Sequence, residues 1–260
     1  MISFVGAGPG AADLITLRGA ARLAAADVVI WAASLVPEAI LGHCHDRVEL
    51  HDSKTMTLED VVAVYERHPD AAIVRLHSGD PSVYSAIGEQ IDWCLAHDRA
   101  FEIVPGVGSL AATAAAVGRE LTVPGVAQSV VLTRLAHRTR SSVPTNESIG
   151  AFAQVGGTMA VFLSAARPDE LQTELLTIGS QYDADTPAVI ASRVSWPDEQ
   201  IVASRVGRLA EDLRALGATT TVLVLVGGAV EPNHGARRAH VYASDYSHSF
   251  RDARVPARDA

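Results

Sequence analysis

Short apolar runs alternate with segments of helical pattern along most of the chain, and this alternation limits the fold more than any other feature. "ISFV", "VVIWA", "AAIVRL" and "FEIVPGV" read as strands. "LRGAARLAAA" and "SVYSAIGEQIDWCLAH" between them read as helices, and "GSLAATAAAVG" as a small-residue helix. "MTLEDVVAVYERHP" is amphipathic, with Thr57 placed as an N-cap and Asp60 three residues on. Strands that alternate with helices imply an α/β chain with a mostly parallel sheet.

The texture changes after Gly118. "RELTVPGV" reads as a linker, and "QSVVLTRLA" and "GTMAVFLSA" as strands with the polar "HRTRSSVPTNES" between them as a lid or loop. "ELQTELLTIG" is a helix, "TPAVIASRVSWPDEQIVASRVGRLAEDLRALG" reads as strand, turn, strand, helix, and "TTTVLVLVG" is a last buried strand. The pattern predicts two α/β domains without internal repeat, an N-terminal one over 1–117 and a C-terminal one over 118–231, then an aperiodic tail over 232–260.

Composition excludes several functions. A net charge of −9 disfavours nucleic acid as a partner, which needs a basic face. Lys54 is the single lysine, and the other basic residues are arginines, whose planar two-pronged donors suit a polyanionic small molecule. Cys44 and Cys94 have no paired spacing, as expected of a reducing cytoplasm. "MISFVGAGPG" lacks a basic leader, and "VLVLVGGAV" is too short to span a bilayer, so neither a signal peptide nor a membrane is expected.

"GAGPGA" at 6–11 satisfies G-x-G-x-x-A through Gly6, Gly8 and Ala11, the outline of a dinucleotide fingerprint. A flavin- or nicotinamide-dependent oxidoreductase is therefore one reading. It also needs an acid at the end of the second strand, and "VVIWAAS" carries none; Asp27 stands at the wrong end and Glu38 beyond Pro37. The glycines equally let backbone approach a ligand closely, while Pro9 fixes one φ and removes a donor. A second turn, Ser78-Gly79-Asp80-Pro81, ends the strand "AAIVRL", where ligands of open α/β sheets bind.

Five motifs occur in order: "GAGPGAADLITLRGA" at 6–20, "RLHSGDPSVY" at 75–84, "VPGVGSLAA" at 104–112, "VLTR" at 131–134 and "VLVLVG" at 222–227. Together they resemble the S-adenosylmethionine-dependent tetrapyrrole methyltransferases over nearly the whole chain. "WAASLV" at 31–36, "DSKTMTLED" at 52–60, "GDPSVYSAIGEQ" at 79–90, "SRVSWPDEQ" at 192–200 and "HVYASDYSHSFR" at 240–251 narrow the likeness within the family. Ser85 departs from it, since Gly commonly follows the Tyr. The resemblance implies two α/β domains with mixed sheets, the cofactor in the cleft between them, and a homodimer. It implies methyl transfer from S-adenosylmethionine to C11 of precorrin-4 in cobalamin biosynthesis, with S-adenosylhomocysteine as by-product and cobalt-precorrin-4 as the alternative substrate.

Matched by motif, Pro9, Ser78, Gly79, Asp80, Val83, Gly108, Ser109, Leu163 and Val222 (or Thr221) are the implied cofactor contacts. Such a transfer rests on positioning and exclusion of water, so the sequence names no catalytic side chain. The tetrapyrrole's acetates and propionates call for guanidinium groups. Arg134 and Arg138 lead the candidates, with Arg75, Arg193 and Arg18 beside predicted loops and Tyr84 at the substrate trough. Asp13 and Asp80 are read as orienting the cofactor or shaping the loops. "HCH" at 43–45 is poor evidence for a metal, and none is expected; His77 serves substrate or structure.

Overall fold

A computed structural model describes residues 1–135, 143, 144, 146–232 and 239–254. Its contacts divide the chain into two units. The first comprises 1–117 with two short returns, 191–201 and 221–223; the second holds the remainder.

The first unit is built on a five-stranded sheet in the order β3-β2-β4-β1-β5. The strands are β1 (Ile2–Gly6), β2 (Val28–Trp31), β3 (Glu49–Asp52), β4 (Ile73–His77) and β5 (Phe101–Val104), and all of their pairings are parallel. Helices α1 (Leu17–Ala24), α2 (Leu58–Arg67), α3 (Gly88–Ala96) and α4 (Ser109–Ala116) alternate with them. Every residue of β1 and β2 is buried, as expected of strands covered on both faces. On one face Val5, Val29, Val74 and Leu76 pack with Leu23 of α1 and Ile40. On the other, Ile2, Phe4, Ile30 and Ile73 pack with Val61, Val64 and Tyr65 of α2 and Cys94 of α3.

The capping signal read at Thr57 is present. Thr57 Oγ1 accepts from the Asp60 N–H at 3.3 Å, and an Asp60 oxygen accepts from the Thr57 N–H at 2.9 Å. α3 is shorter than its sequence pattern predicts. Residues 82–87 form an irregular loop in which Tyr84 and Ala86 have φ of 55° and 49°. The Ser85 hydroxyl holds that loop by donating to the Asp80 and Val83 carbonyls, at 3.2 and 3.3 Å.

The second sheet runs β6-β7-β10-β8-β9. Its strands are β6 (Val130–Arg134), β7 (Thr158–Phe162), β8 (Pro187–Ser192), β9 (Gln200–Arg205) and β10 (Val222–Val226). β6 and β7 are parallel while β7 and β10 are antiparallel, so this sheet is mixed. Helices α5 (Ile149–Ala153), α6 (Pro168–Leu175) and α7 (Leu209–Leu216) accompany it, and α7 ends on Gly217 in the left-handed conformation that favours glycine. Among the described residues, no helix is long and apolar enough to cross a membrane.

Candidate active site

The strand order locates the site before any side chain is considered. β1 and β4 are neighbours, yet β1 leads towards β2 on one side and β4 leads to β5 on the other. These two connections cross past one another on opposite faces of the sheet, one to α1 packed with Val5 and the other to α3 packed with Phe4, and so part at the carboxyl ends of β1 and β4, where open α/β sheets bind ligands.

Three glycine turns leave the carboxyl ends of β1, β4 and β5 and converge. Gly8 and Gly79 pair as an isolated bridge, with N–H···O distances of 3.2 and 2.8 Å. Both have positive φ, 82° and 66°, which glycine adopts without steric cost. A Cβ on Gly6 would lie 2.6 Å from the Gly79 oxygen and 2.6 Å from Gly106 Cα. A Cβ on Gly106 would strike the same carbonyl and come within 2.8 Å of Gly6 Cα. No side chain fits there.

Asp80 locks two of these turns together. Its Oδ2 accepts from the Gly106 N–H at 2.8 Å and its Oδ1 from the Ser82 N–H at 2.8 Å. Partial burial pushes its carboxyl up, but hydrogen bonds from Gly106 and Ser82 outweigh that and hold it below the ordinary value. Both Asp80 oxygens thus serve the loop itself.

Beyond the lock lies room. A Cβ on Gly108 would meet nothing within 4 Å, and one on Gly79 nothing closer than 3.7 Å. Gly108 is the N-cap of α4 and brings no side chain to its first turn, leaving the N–H donors there uncapped. Ser78 is half-buried on the same rim, and Val83 is exposed further along the β4 loop.

The sequence reading missed a brace on the first loop. Trp196 Nε1 donates to the Pro9 carbonyl at 3.0 Å, and the Ser195 hydroxyl accepts from the Ala11 N–H at 2.9 Å. A Cβ on Gly10 would come within 2.7 Å of the Trp196 ring nitrogen. Gly10 is therefore small to admit that indole. "SRVSWPDEQ" was visible as a motif, but a partner more than 180 residues away leaves no local signal.

The arginines are dispersed. Arg193 donates to Asp198 at 2.8 Å and lies 4.0 Å over the Trp196 ring, so its guanidinium is already engaged. Arg75 projects from β4 among the residues that α2 covers and donates to the Ile30 carbonyl at 3.2 Å; its Nε is buried without a partner. Burial lowers its pKa, against a smaller upward effect of Tyr65. His77, two residues on, is 7 % exposed, and burial, reinforced by Arg75, lowers its pKa to about 3. It is neutral throughout the physiological range. Tyr84 is exposed on the β4 loop, Arg134 ends β6, and Arg138 lies outside the described residues. Leu163, just after β7, is 68 % exposed with φ of 53°, whereas Val222 is buried at the start of β10. The Thr221 carbonyl accepts from the Arg193 N–H at 2.9 Å.

The family model for tetrapyrrole (corrin/porphyrin) methylases matches residues 1–210. A precorrin-4 C(11)-methyltransferase of Rhodococcus erythropolis is 41 % identical over 229 residues, 87 % of this chain and 90 % of that one. Among solved structures, a cobalt precorrin-4 methyltransferase of cobalamin biosynthesis superposes with a TM-score of 0.84 at 37 % identity, covering 89 % of this chain and 96 % of the other. A uroporphyrin-III C-methyl transferase from Thermus thermophilus, complexed with S-adenosyl homocysteine, gives 0.73 at 28 % identity, covering 88 % and 93 %. These matches overturn the oxidoreductase alternative. The geometry agrees: Asp52 of β3, in register with Trp31 at the end of β2, has its oxygens taken by the Ala33 and Lys54 N–H groups and the Lys54 ammonium. A two-unit α/β chain with one parallel and one mixed sheet, carrying interlocked glycine turns at its strand tips, this protein belongs to the tetrapyrrole (corrin/porphyrin) methylase family.

Proposed function

We propose that the chain transfers the methyl group of S-adenosylmethionine to C11 of precorrin-4, giving precorrin-5 for cobalamin biosynthesis. The observation that carries this reading is the convergence of the Gly6, Gly79 and Gly106 turns, with open space at Gly108 and uncapped donors on α4. S-adenosylmethionine supplies a methyl already activated on a sulfonium. The residues present fit such a molecule. Its amino-acid carboxylate suits the first-turn N–H groups of α4 at Ser109, and its hydroxyls suit the main chain at Ser78–Asp80. Pro9 and Val83 border the same loops, and Leu163 and Val222 supply apolar contact.

The side chains orient and exclude rather than react. No general base is assigned: Asp80 is consumed by the loop lock and His77 is buried and neutral. Arg134 and Arg138 are assigned to the macrocycle's carboxylates, and Tyr84 to the macrocycle itself, by the motif match. Arg193 and Arg75 contribute less, since Asp198 engages one and burial the other. The enzyme works in the cytoplasm as a homodimer, which gel filtration with light scattering checks.

The test is direct. Purified protein incubated with S-adenosylmethionine and precorrin-4 yields a product one methyl heavier, with NMR placing the new methyl on C11. Methyl transfer elsewhere on the ring, or none, overturns the proposal. A parallel arm with cobalt-precorrin-4 distinguishes the two substrates, and the metal-free one is expected to have the higher kcat/KM.

A further inference from the structure

We infer that Glu49, His51 and His68 form a binding site for one borderline divalent metal ion, of the Zn²⁺ class. The site lies at the end of the first unit opposite the methyl-transfer loops. Glu49 and His51 are two apart on β3, so their side chains share one face of that edge strand. His68 is the C-cap residue of α2. The helix returns antiparallel to the strands, which brings its C-terminus to their amino ends. Glu49 Oε1 lies 2.7 Å from His51 Nε2, and Glu49 Oε2 lies 3.4 Å from His68 Nε2. One ligand atom from each of the three falls within 4.8 Å of the others.

The backbone that carries these donors is fixed. Glu49 and His51 lie in register with Val28 and Ile30 of β2, and the Glu49 N–H donates to the Asp27 carbonyl at 2.9 Å. The His68 carbonyl accepts from Arg99 Nη2 at 2.7 Å. Two donors about 2.1 Å from a tetrahedral ion stand about 3.4 Å apart, so the set needs only side-chain rotation to close. Glu49 is half-exposed and can swing, while the two imidazoles are largely covered and preplaced. Two imidazoles and one carboxylate favour Zn²⁺, Co²⁺ or Ni²⁺ over Mg²⁺ or Ca²⁺, which prefer oxygen. Three protein ligands leave a position for water, facing solvent. An ion here ties the edge strand β3 to α2. It plays no part in methyl transfer, because the glycine turns sit at the carboxyl ends of the strands.

The test is calorimetric titration of the full chain with Zn²⁺ in a non-chelating buffer, with Co²⁺ absorbance as a second readout of ligand geometry. One saturable ion per chain is expected. Loss of an outer-shell group costs a metal site about 10- to 100-fold in affinity, so Glu49→Gln and His68→Ala are each expected to weaken binding at least about tenfold. His45→Ala, in the other histidine-rich segment, leaves it unchanged. All variants keep their circular dichroism and their affinity for S-adenosylhomocysteine. Absence of a saturable site, or an affinity in Glu49→Gln or His68→Ala unchanged from that of the parent chain, overturns the inference and leaves the three side chains as an ion-paired cluster only.

Discussion

At the residue scale, three side chains separate shaping from holding. Asp80 makes no contact that requires a ligand; its two oxygens serve Gly106 and Ser82. Asp80→Ala strips a charged acceptor from two backbone donors, and about 1–2 kcal/mol of stability is expected to go with it. Calorimetry is also expected to show weakened S-adenosylhomocysteine binding, because the β4 and β5 turns lose their lock; unchanged affinity contradicts the role. His77 gives a pH signature. Its unfolded imidazole takes up a proton below about pH 6.5, while the folded one stays neutral down to about 3. Unfolding therefore binds a proton between those values, and stability falls as pH falls through that window. Between pH 7.5 and 5 the loss is about 2 kcal/mol in denaturant unfolding. His77→Gln is expected to flatten that slope, and an unaltered slope removes the assignment. Arg134→Ala is expected to raise the KM for the tetrapyrrole about tenfold, the worth of one charged hydrogen bond, while S-adenosylhomocysteine affinity stays put. A KM that does not move takes Arg134 out of the site.

At the scale of elements, the buried strands and capped helices were legible, and the exceptions have physical causes. β1, β2 and β4 announce themselves because burial on both faces demands near-continuous apolar residues. β3, "ELHD", was not foreseen: it is an edge strand with its first two residues exposed, so no apolar run marks it. α5 was missed because five residues carry too little periodicity. The start of α3 was placed early because helix-compatible residues at 82–87 are held in a strained loop instead. The glycine turns were visible as motifs, but their meeting was not, since Gly6, Gly79 and Gly106 are joined only by the strand order. Gly106→Ala is the sharpest test of that meeting. Its methyl would press on backbone atoms that cannot rotate away, costing about 1–3 kcal/mol or more and abolishing S-adenosylhomocysteine binding. Near-native stability and affinity in that variant refute the convergence.

At the scale of the whole molecule, family membership and chemistry came from the combination of motifs, because no single loop distinguishes a nucleotide site from this one. The "GAGPGA" turn fits both, and only the absence of an acid after β2, together with the β4 and β5 turns, separates them. The Ser195–Trp196 brace stayed hidden for the opposite reason: its segment is read in the chain's second half but folds with the first unit. The central claim is that bare main chain at the tips of β1, β4 and β5 holds the methyl donor. A crystal structure with S-adenosylhomocysteine tests it most directly. Ligand density bounded by Ser78–Asp80 and by Gly108–Ser109 is the predicted result, and a ligand bound elsewhere with those turns unoccupied contradicts it.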